Sequence, residues 1–348
     1  MWDYSRGLAE RGHEIVIYIL SYGPGMIREV APGISVRFVH IDCWMRLVDP
    51  VLWRLSRGTP SSPLRTRVAT RAWGGALQRC LEEDRIDVLY HQEIWTPHFD
   101  AIVECARISV VGAVFNESMT PAKRRALPRA AKLVCQTSSS LKLAKEFGGD
   151  AVTLTNAVDC DLFAPGSAPR QRTILAVGRL VESQKRFIDL LRAIVQLPEY
   201  TLALVGTGPD DVMLRRLAAE LGVADRVDFA GFVSDRTRLR SLYQECGVFV
   251  CSSSWEAVAL VVLEAMSCAV LVVVTCIPSF EELVVDNVSG ALVDVGAVDD
   301  LARAIEYASA NGERLGHGAR EITVSRYSAA HMFDSLADLL GAIPEVHA

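Results

Sequence analysis

None of the nine cysteines, at positions 43, 80, 105, 135, 160, 246, 251, 268 and 276, forms a C-x-x-C pair, and their number is odd. The spacing excludes a dithiol redox motif or a zinc ribbon, and the odd count argues against a disulfide framework. Most lie in apolar runs, where a thiol packs as a small hydrophobe. This usage fits a reducing compartment and a cytoplasmic chain. There is no G-x-x-x-x-G-K-[ST] loop and no G-x-S-x-G elbow, which removes the P-loop and the serine-hydrolase turn. VGTGPD, at 205–210, falls short of a full G-x-G-x-x-G, so a dinucleotide fingerprint is weak. The opening MWDYSRGLAERGHE lacks the apolar core of a secretory signal. Residues 257–277 come near a membrane span, but Glu264 falls close to the middle of that window. A carboxylate at a bilayer centre costs roughly 2.5–3.5 kcal/mol.

What is present is a globular composition. The 348 residues are 50% hydrophobic and 22% charged, with a net charge of −6. That length is a soft prior for two domains. Residues 1–158 carry 20 Lys and Arg against 16 Asp and Glu (+4), whereas residues 159–348 carry 16 against 26 (−10). The acidic half argues against a nucleic-acid partner.

In that half, short continuous apolar runs (TILAVG 173–178, TLALVG 201–206, VDFAG 227–231, VFVCS 248–252, AVLVVVT 269–275) alternate with helical patterns at 187–197, 211–222, 238–247 and 298–308. Continuous runs are the mark of parallel strands covered on both faces, and the alternation implies a doubly wound α/β domain. Gly222 and Gly247 stand where helix C-caps are expected. The first half follows the same logic: LAERGHEIVIYIL reads as helix end, turn and strand, with further strands at 87–92, 108–116 and 132–137. It opens inside a helix rather than on a strand. The tail SAAHMFDSLADLLGAI is an amphipathic helix.

The most informative stretch is SSSWEAVALVVLEAMS, residues 252–267, where Glu256 and Glu264 bracket an apolar run. Glu256 follows a strand and a Ser-rich turn, which predicts a place at a helix start. A carboxylate there complements the helix dipole, while the helix N-terminus is equally an anion site. Glu264 must be exposed or buried with a partner. In AVGRLVESQKRF, Arg179 and Lys185 directly follow a buried strand, so they are either a solvated turn or a cationic clamp on a diphosphate. The D-x-D of Asp159 and Asp161 lies in the junction TNAVDCDLFAPG. A local turn is favoured there over a metal site.

Together these residues resemble the retaining glycosyltransferase family 4 of the GT-B fold. The likeness is dense over about residues 150–330: T-N-A-V-D-x-x-x-F-x-P, V-G-R-L-x-x-x-Q-K-R, L-V-G-T-G-P, V-x-F-A-G-F-V and S-x-x-E-A-V-A-L-V-V-L-E-A-M-S-C occur in the family's order. The resemblance implies two Rossmann-like, doubly wound parallel-sheet domains facing across a cleft. They would span residues 1–158 and 159–325, with a helix at 326–348 returning to the first. It implies a metal-independent hexosyltransferase, without a cofactor, that moves a sugar from a nucleoside-diphosphate sugar, most often a UDP-sugar, to a glycan, lipid-linked or small-molecule acceptor. Glu256 would contact the donor sugar and Glu264 the ribose. Arg179 and Lys185 would neutralise the diphosphate, the N–H groups near Leu260 and Val261, beside Ala259, would point at it, and Gly206 and the backbone at Val233 would line the nucleotide.

Three departures temper the likeness. The family's first strand and Gly-rich loop are missing before L-A-E-R-G-H-E. Its E-G-F-G is E-A-V-A, with Ala257 and Ala259. Phe115 and Asn116 stand where many members carry a histidine, and neither His91 nor His98 is assigned. They open a second reading, a chain that binds nucleotide weakly or partners an active transferase. Six arginines between Asp49 and Glu82, and seven Lys/Arg between Glu117 and Glu146, meet no acid. Such runs are either a solvated face or a contact for anionic membrane lipid or a phosphate-bearing acceptor.

Overall fold

The computed structural model describes residues 2–21, 27–40, 68, 74–91, 99–100, 102–103, 106–114, 121–167, 169–256 and 259–344. The chain divides into two units, Met1–Thr155 with Met332–Ala348, and Asn156–His331.

In the first unit, α1 (Trp2–Ala9) leads through Gly12, at φ +87°, into β1 (Ile15–Ser21). β2 (Ile27–Ala31) and β3 (Ile34–His40) follow, then α2 (Gly75–Glu83), β4 (Val88–His91), β5 (Ser109–Val114), β6 (Lys132–Cys135), α3 (Ser138–Glu146) and β7 (Ala151–Thr153). They form two sheets, β1-β3-β2 and the all-parallel β4-β5-β6-β7. Arg37 on β3 and Tyr18 on β1 both bond Asp84 at the end of α2, which ties the first sheet to the entry of the second. Burial and the hydrogen bond to Asp84 push the Tyr18 hydroxyl well above its usual range.

The second unit is one six-stranded sheet. Its strands are β8 (Gln171–Val177), β9 (Thr201–Val205), β10 (Val227–Gly231), β11 (Cys246–Cys251), β12 (Leu271–Thr275) and β13 (Ala291–Val293), in the order β10-β9-β8-β11-β12-β13. Every pairing is parallel. The longer helices between and after them, with the single turn α4 (Glu182–Lys185), are α5 (Phe187–Val195), α6 (Asp211–Glu220), α7 (Arg236–Glu245), α8 (Leu260–Ser267), α9 (Val298–Ala310) and α10 (Gly312–Arg326); a further turn spans Pro278–Glu281. The alternation of side chains along each strand feeds two cores. Ile174, Leu202, Val248 and Val273 enter one, and Leu175, Val205, Phe249 and Val274 enter the other. Removing such a side chain from water stabilises the fold by about 1.5–3 kcal/mol each. In order of the chain the strands run 3-2-1-4-5-6, so the winding reverses between β8 and β11, where open α/β sheets bind ligands beyond the strand carboxyl ends. The last helix, α11 (Ala329–Gly341), crosses the boundary between the units. Beyond it Ile343, with Leu339 and Leu340, packs on Val111 and Val134 of the first unit's sheet, and Ser109 Oγ donates to the Pro344 carbonyl at 2.9 Å.

Two local expectations are corrected. Gly222 has φ +70° just past α6, as a C-terminal glycine should. Gly247, however, lies within β11, because α7 passes directly into that strand through Cys246. A Cβ on Gly247 would stand 2.5 Å from the Gln171 carbonyl of β8, so the glycine serves a close strand approach. Glu256 does not open a helix either: α8 begins at Leu260, behind Ala259.

Candidate functional site

The site is built by loops that leave the carboxyl ends of β8, β9, β10 and β11. The β8 loop lies on the β9 loop through backbone alone: Gly178 N–H donates to the Val205 carbonyl at 2.9 Å and Leu180 N–H to the Thr207 carbonyl at 3.0 Å. The fit requires glycine. Gly206 sits at φ +141° and a Cβ there would lie 1.9 Å from the Gly178 carbonyl oxygen, while one on Gly208 would lie 2.2 Å from that of Leu180. The Asp210 carboxylate accepts from Glu182 N–H at 2.7 Å and starts the turn of α4. Gly206 N–H donates to the Gly231 carbonyl at 2.8 Å, which joins the loop carrying Val233. Val233 itself is half-buried, whereas its neighbour Phe232 is 74% exposed.

Across the reversal, three serines follow β11, and two of them stitch it to the β8 loop. Ser252 Oγ donates to the Lys185 carbonyl at 2.9 Å, and Ser254 N–H donates to the Gln184 carbonyl at 2.8 Å. Ser253, fully buried, donates from Oγ to Glu256 Oε1 at 2.7 Å. Lys185 Nζ pairs with the same oxygen, and Gln184 Nε2 approaches Oε2 at 3.4 Å. Lys185 and Glu256 are 13% and 9% exposed at their side chains, so this is a sheltered ion pair. Taking both charges out of water is costly unless each is hydrogen-bonded, and here each is.

Glu264 lies in α8, among Val262, Leu263, Ala265 and Met266 of its buried face. Its partner is Tyr243, whose hydroxyl donates to Oε2 at 3.0 Å. Tyr243 is wholly buried between the rings of Phe163 and Phe249. Burial raises the Glu264 carboxyl above its ordinary 4.5, against the Tyr243 hydrogen bond and the charge of Arg236, which lower it. The same burial drives the Tyr243 hydroxyl far up. At the head of α8, Ala259 caps without a side-chain bond. As in any helix, the first-turn N–H groups of Leu260 and Val261 have no intrahelical acceptor, and the cap residue supplies no side-chain one. Leu260 is 44% exposed.

Of the expected residues, the structure brings Lys185 against Glu256 and sets Gly206 on the backbone before Arg179. Arg179 is exposed and makes no ion pair among the described residues. Glu264 has Tyr243 as its hydrogen-bond partner rather than any of these residues. Ser253, Gln184 and Tyr243 were not anticipated; the Ser-Ser-Ser run beside the first glutamate was the one available signal. Asp159 Oδ1 accepts from the N–H groups of Asp161 and Leu162, at 3.1 and 2.9 Å, which makes the D-x-D a local turn. His91 packs edge-on to Phe99. Ala257, His98, Phe115, Asn116 and Arg54, Arg57, Arg65, Arg67 and Arg71 of the first basic run lie outside the described residues.

Residues 159–321 match the family model described as glycosyl transferases group 1. The chain is 35% identical over 192 residues to the lipopolysaccharide core biosynthesis glycosyltransferase LpsE of Rhizobium meliloti, a match covering 54% of each chain. It thus spans about half the length of that relative. It is 28% identical to a D-inositol 3-phosphate glycosyltransferase of Geodermatophilus obscurus, over 98% of this chain and 82% of the other. Among solved structures, sucrose-phosphate synthase from Thermosynechococcus elongatus superposes with a TM-score of 0.75 at 18% identity, over 97% of this chain and 90% of that one. Anabaena HepE in complex with UDP superposes with a TM-score of 0.68 at 19% identity, over 94% and 100%. The fold is GT-B.

Proposed function

We propose that this chain, whose residues 159–321 match the glycosyl transferases group 1 family model, moves a hexosyl group from a nucleoside-diphosphate sugar to a hydroxyl acceptor. The observation that carries the reading is the Lys185–Glu256 pair at the winding reversal between β8 and β11, beside the uncapped start of α8. A diphosphate at that point meets the α8 N–H groups and dipole, with Arg179 and Lys185 as charge partners. Those cations stabilise the negative charge that builds on the leaving diphosphate, which is the largest electrostatic demand of the reaction. Glu256 faces the transferred sugar, and Glu264 takes the ribose hydroxyls with the carboxylate oxygen that Tyr243 leaves free. Gly206 and the backbone at Val233 border the nucleotide.

Arg179, Lys185 and the helix start give the leaving group cationic and dipolar partners of the chain's own, so the reaction proceeds without a divalent ion. The acceptor attacks on the face from which the diphosphate departs, and the anomeric configuration is retained. UDP-sugar is the favoured donor, as HepE is a UDP-bound neighbour of the same fold. The names of the relatives point to lipopolysaccharide core and to inositol phosphate. With the basic runs of the first half, they favour a phosphate-bearing or lipid-linked acceptor reached at an anionic membrane surface. No helix among the described residues is long and apolar enough to cross a membrane.

The test is a melting screen of the whole chain with UDP-, GDP- and ADP-glucose in EDTA. A ligand that binds only the native state raises the midpoint. One base should raise it without added metal. No shift with any base, or a shift that appears only with Mn²⁺, contradicts the reading.

A further inference from the structure

We propose that Ser253 is a positioning residue for Glu256: its buried hydroxyl fixes which carboxylate oxygen is committed inward and which is presented to the donor. The proposal rests on the reading of Glu256 as the group that faces the transferred sugar.

Glu256 lies in a loop, two residues past the Ser-Ser-Ser stretch and ahead of α8, so no helix or strand ladder sets its direction. Its side chain must be aimed by other side chains. Oε1 takes the Ser253 hydroxyl at 2.7 Å together with Lys185 Nζ. Among the described residues, Oε2 has only Gln184 Nε2, at 3.4 Å. An ionised carboxylate accepts about four hydrogen bonds, so Oε1 is largely used and Oε2 keeps its capacity for a ligand hydroxyl. Lys185 cannot set this alone, because its amine sits on a four-carbon flexible stem and is also the expected partner of the diphosphate. When the diphosphate draws on that amine, the hydroxyl of Ser253 is what still holds Oε1.

Ser253 is itself fixed by its surroundings. It is 0% exposed. Its carbonyl accepts from Thr275 Oγ1 on the neighbouring strand β12, and Thr275 is 3% exposed. Its oxygen stands 3.5 Å from Cys251 Sγ on β11. A hydroxyl has one proton to give. With that proton on Glu256, the Cys251 thiol is the donor of the second contact. The two flanking serines differ in kind: Ser252 and Ser254 spend their hydroxyls on backbone carbonyls of residues 183–186. They hold the loop that carries Lys185, and Ser253 alone of the three reaches the carboxylate.

The experiment compares the full chain with Ser253→Ala and Ser253→Thr. Two quantities are read: release of glucose to water from whichever of UDP-, GDP- or ADP-glucose raises the melting midpoint, and the calorimetric Kd of the matching nucleoside diphosphate alone. Loss of a hydrogen bond to a charged group should lower the kcat of Ser253→Ala about 10- to 100-fold. KM and the diphosphate Kd should stay within about threefold, the mark of an interaction not used in ground-state binding. Ser253→Thr, which keeps the hydroxyl, should recover most of the loss. Should Ser253→Ala melt below the assay temperature, Ser253→Cys takes its place, with a weaker donor and an intermediate kcat expected. A parent-like kcat in the Ala or Cys variant, a Kd that weakens in step with kcat, or no recovery with Thr overturns the proposal. A parent chain that neither binds a diphosphate nor releases sugar instead overturns the reading beneath it.

Discussion

The two units use the same kind of strand to different ends. β12 of the second unit is buried at every residue, and the six-stranded sheet that contains it feeds a large core on each face. In the first unit β5 is equally buried, yet β4 beside it is half-buried throughout and Ile19 of the apolar β1 is 42% exposed. There the described sheets are two, and one face of the second is closed by residues that arrive from the far end of the chain, Leu339, Leu340 and Ile343. An apolar run therefore announces a strand in both units, but only the full set of covering helices makes it a buried one. The difference bears on chemistry. A continuous six-stranded sheet sets four strand ends in fixed register, and the second unit builds its ion pair and its paired Tyr243–Glu264 from its own residues.

The sharpest way to break that contrast is Glu256→Gln, which keeps shape and removes charge in the second unit alone. Sugar transfer or release should fall by about 10²–10³-fold in kcat, the scale of losing a preorganised electrostatic contact. The melting midpoint should fall as well, because Lys185 is left sheltered without its counter-charge, so turnover is compared at a temperature where both proteins are folded. A variant with parental turnover would remove Glu256 from the site.

Next comes a pair of glycines. In the second unit a Cβ on Gly206 meets backbone, the Gly178 carbonyl, at a positive φ, whereas in the first unit a Cβ on Gly7 meets the Phe333 ring at 2.4 Å. Backbone cannot step aside and a ring can. Gly206→Ala should cost about 2–4 kcal/mol, and Gly7→Ala clearly less, by chemical denaturation. Equal losses would show that the loops over β8 and β9 are more pliable than their contacts imply.

The smallest effect concerns Glu264. Burial raises its carboxyl in the folded chain, so the protonated form is the one the fold favours. That contribution is whole below the ordinary value of 4.5 and is lost as pH rises through the raised native value. Glu264→Gln should match the parent near pH 4 and exceed it near neutrality, by on the order of 1–3 °C in midpoint. It should also bind nucleotide more weakly, a group kept for function at a cost in stability. A midpoint difference that is the same at both pH values would contradict the burial argument.

How much of this was legible in the sequence follows from where each partner lies. The doubly wound second unit was readable because its strands are unbroken apolar runs and its helices carry a clean 3.6 period. Gly247 was misplaced because a helix that feeds directly into a strand leaves no turn between them, and the glycine answers to Gln171, 76 residues away. Glu256 looked like a helix opener because AVALVVLEAMS suits a helix from its first residue. In the structure Glu256 is outside the helix, which begins at Leu260. The serines lay in plain view, but their partners at 183–186 are about 70 residues distant, and no local pattern announces them. Tyr243 was hidden for the same reason, as an unremarked residue of α7 that meets a carboxylate on α8.

The central claim is that Lys185, at the winding reversal of the second unit, receives a diphosphate. The direct measurement is a calorimetric titration of UDP, GDP and ADP into the full chain in EDTA, for the parent and for Lys185→Ala. The account predicts that one nucleotide binds the parent without metal and that the variant binds it at least about tenfold more weakly, as expected for loss of a charge-assisted contact. Equal affinity in the two proteins, or no binding of any nucleotide to a folded parent, would contradict it.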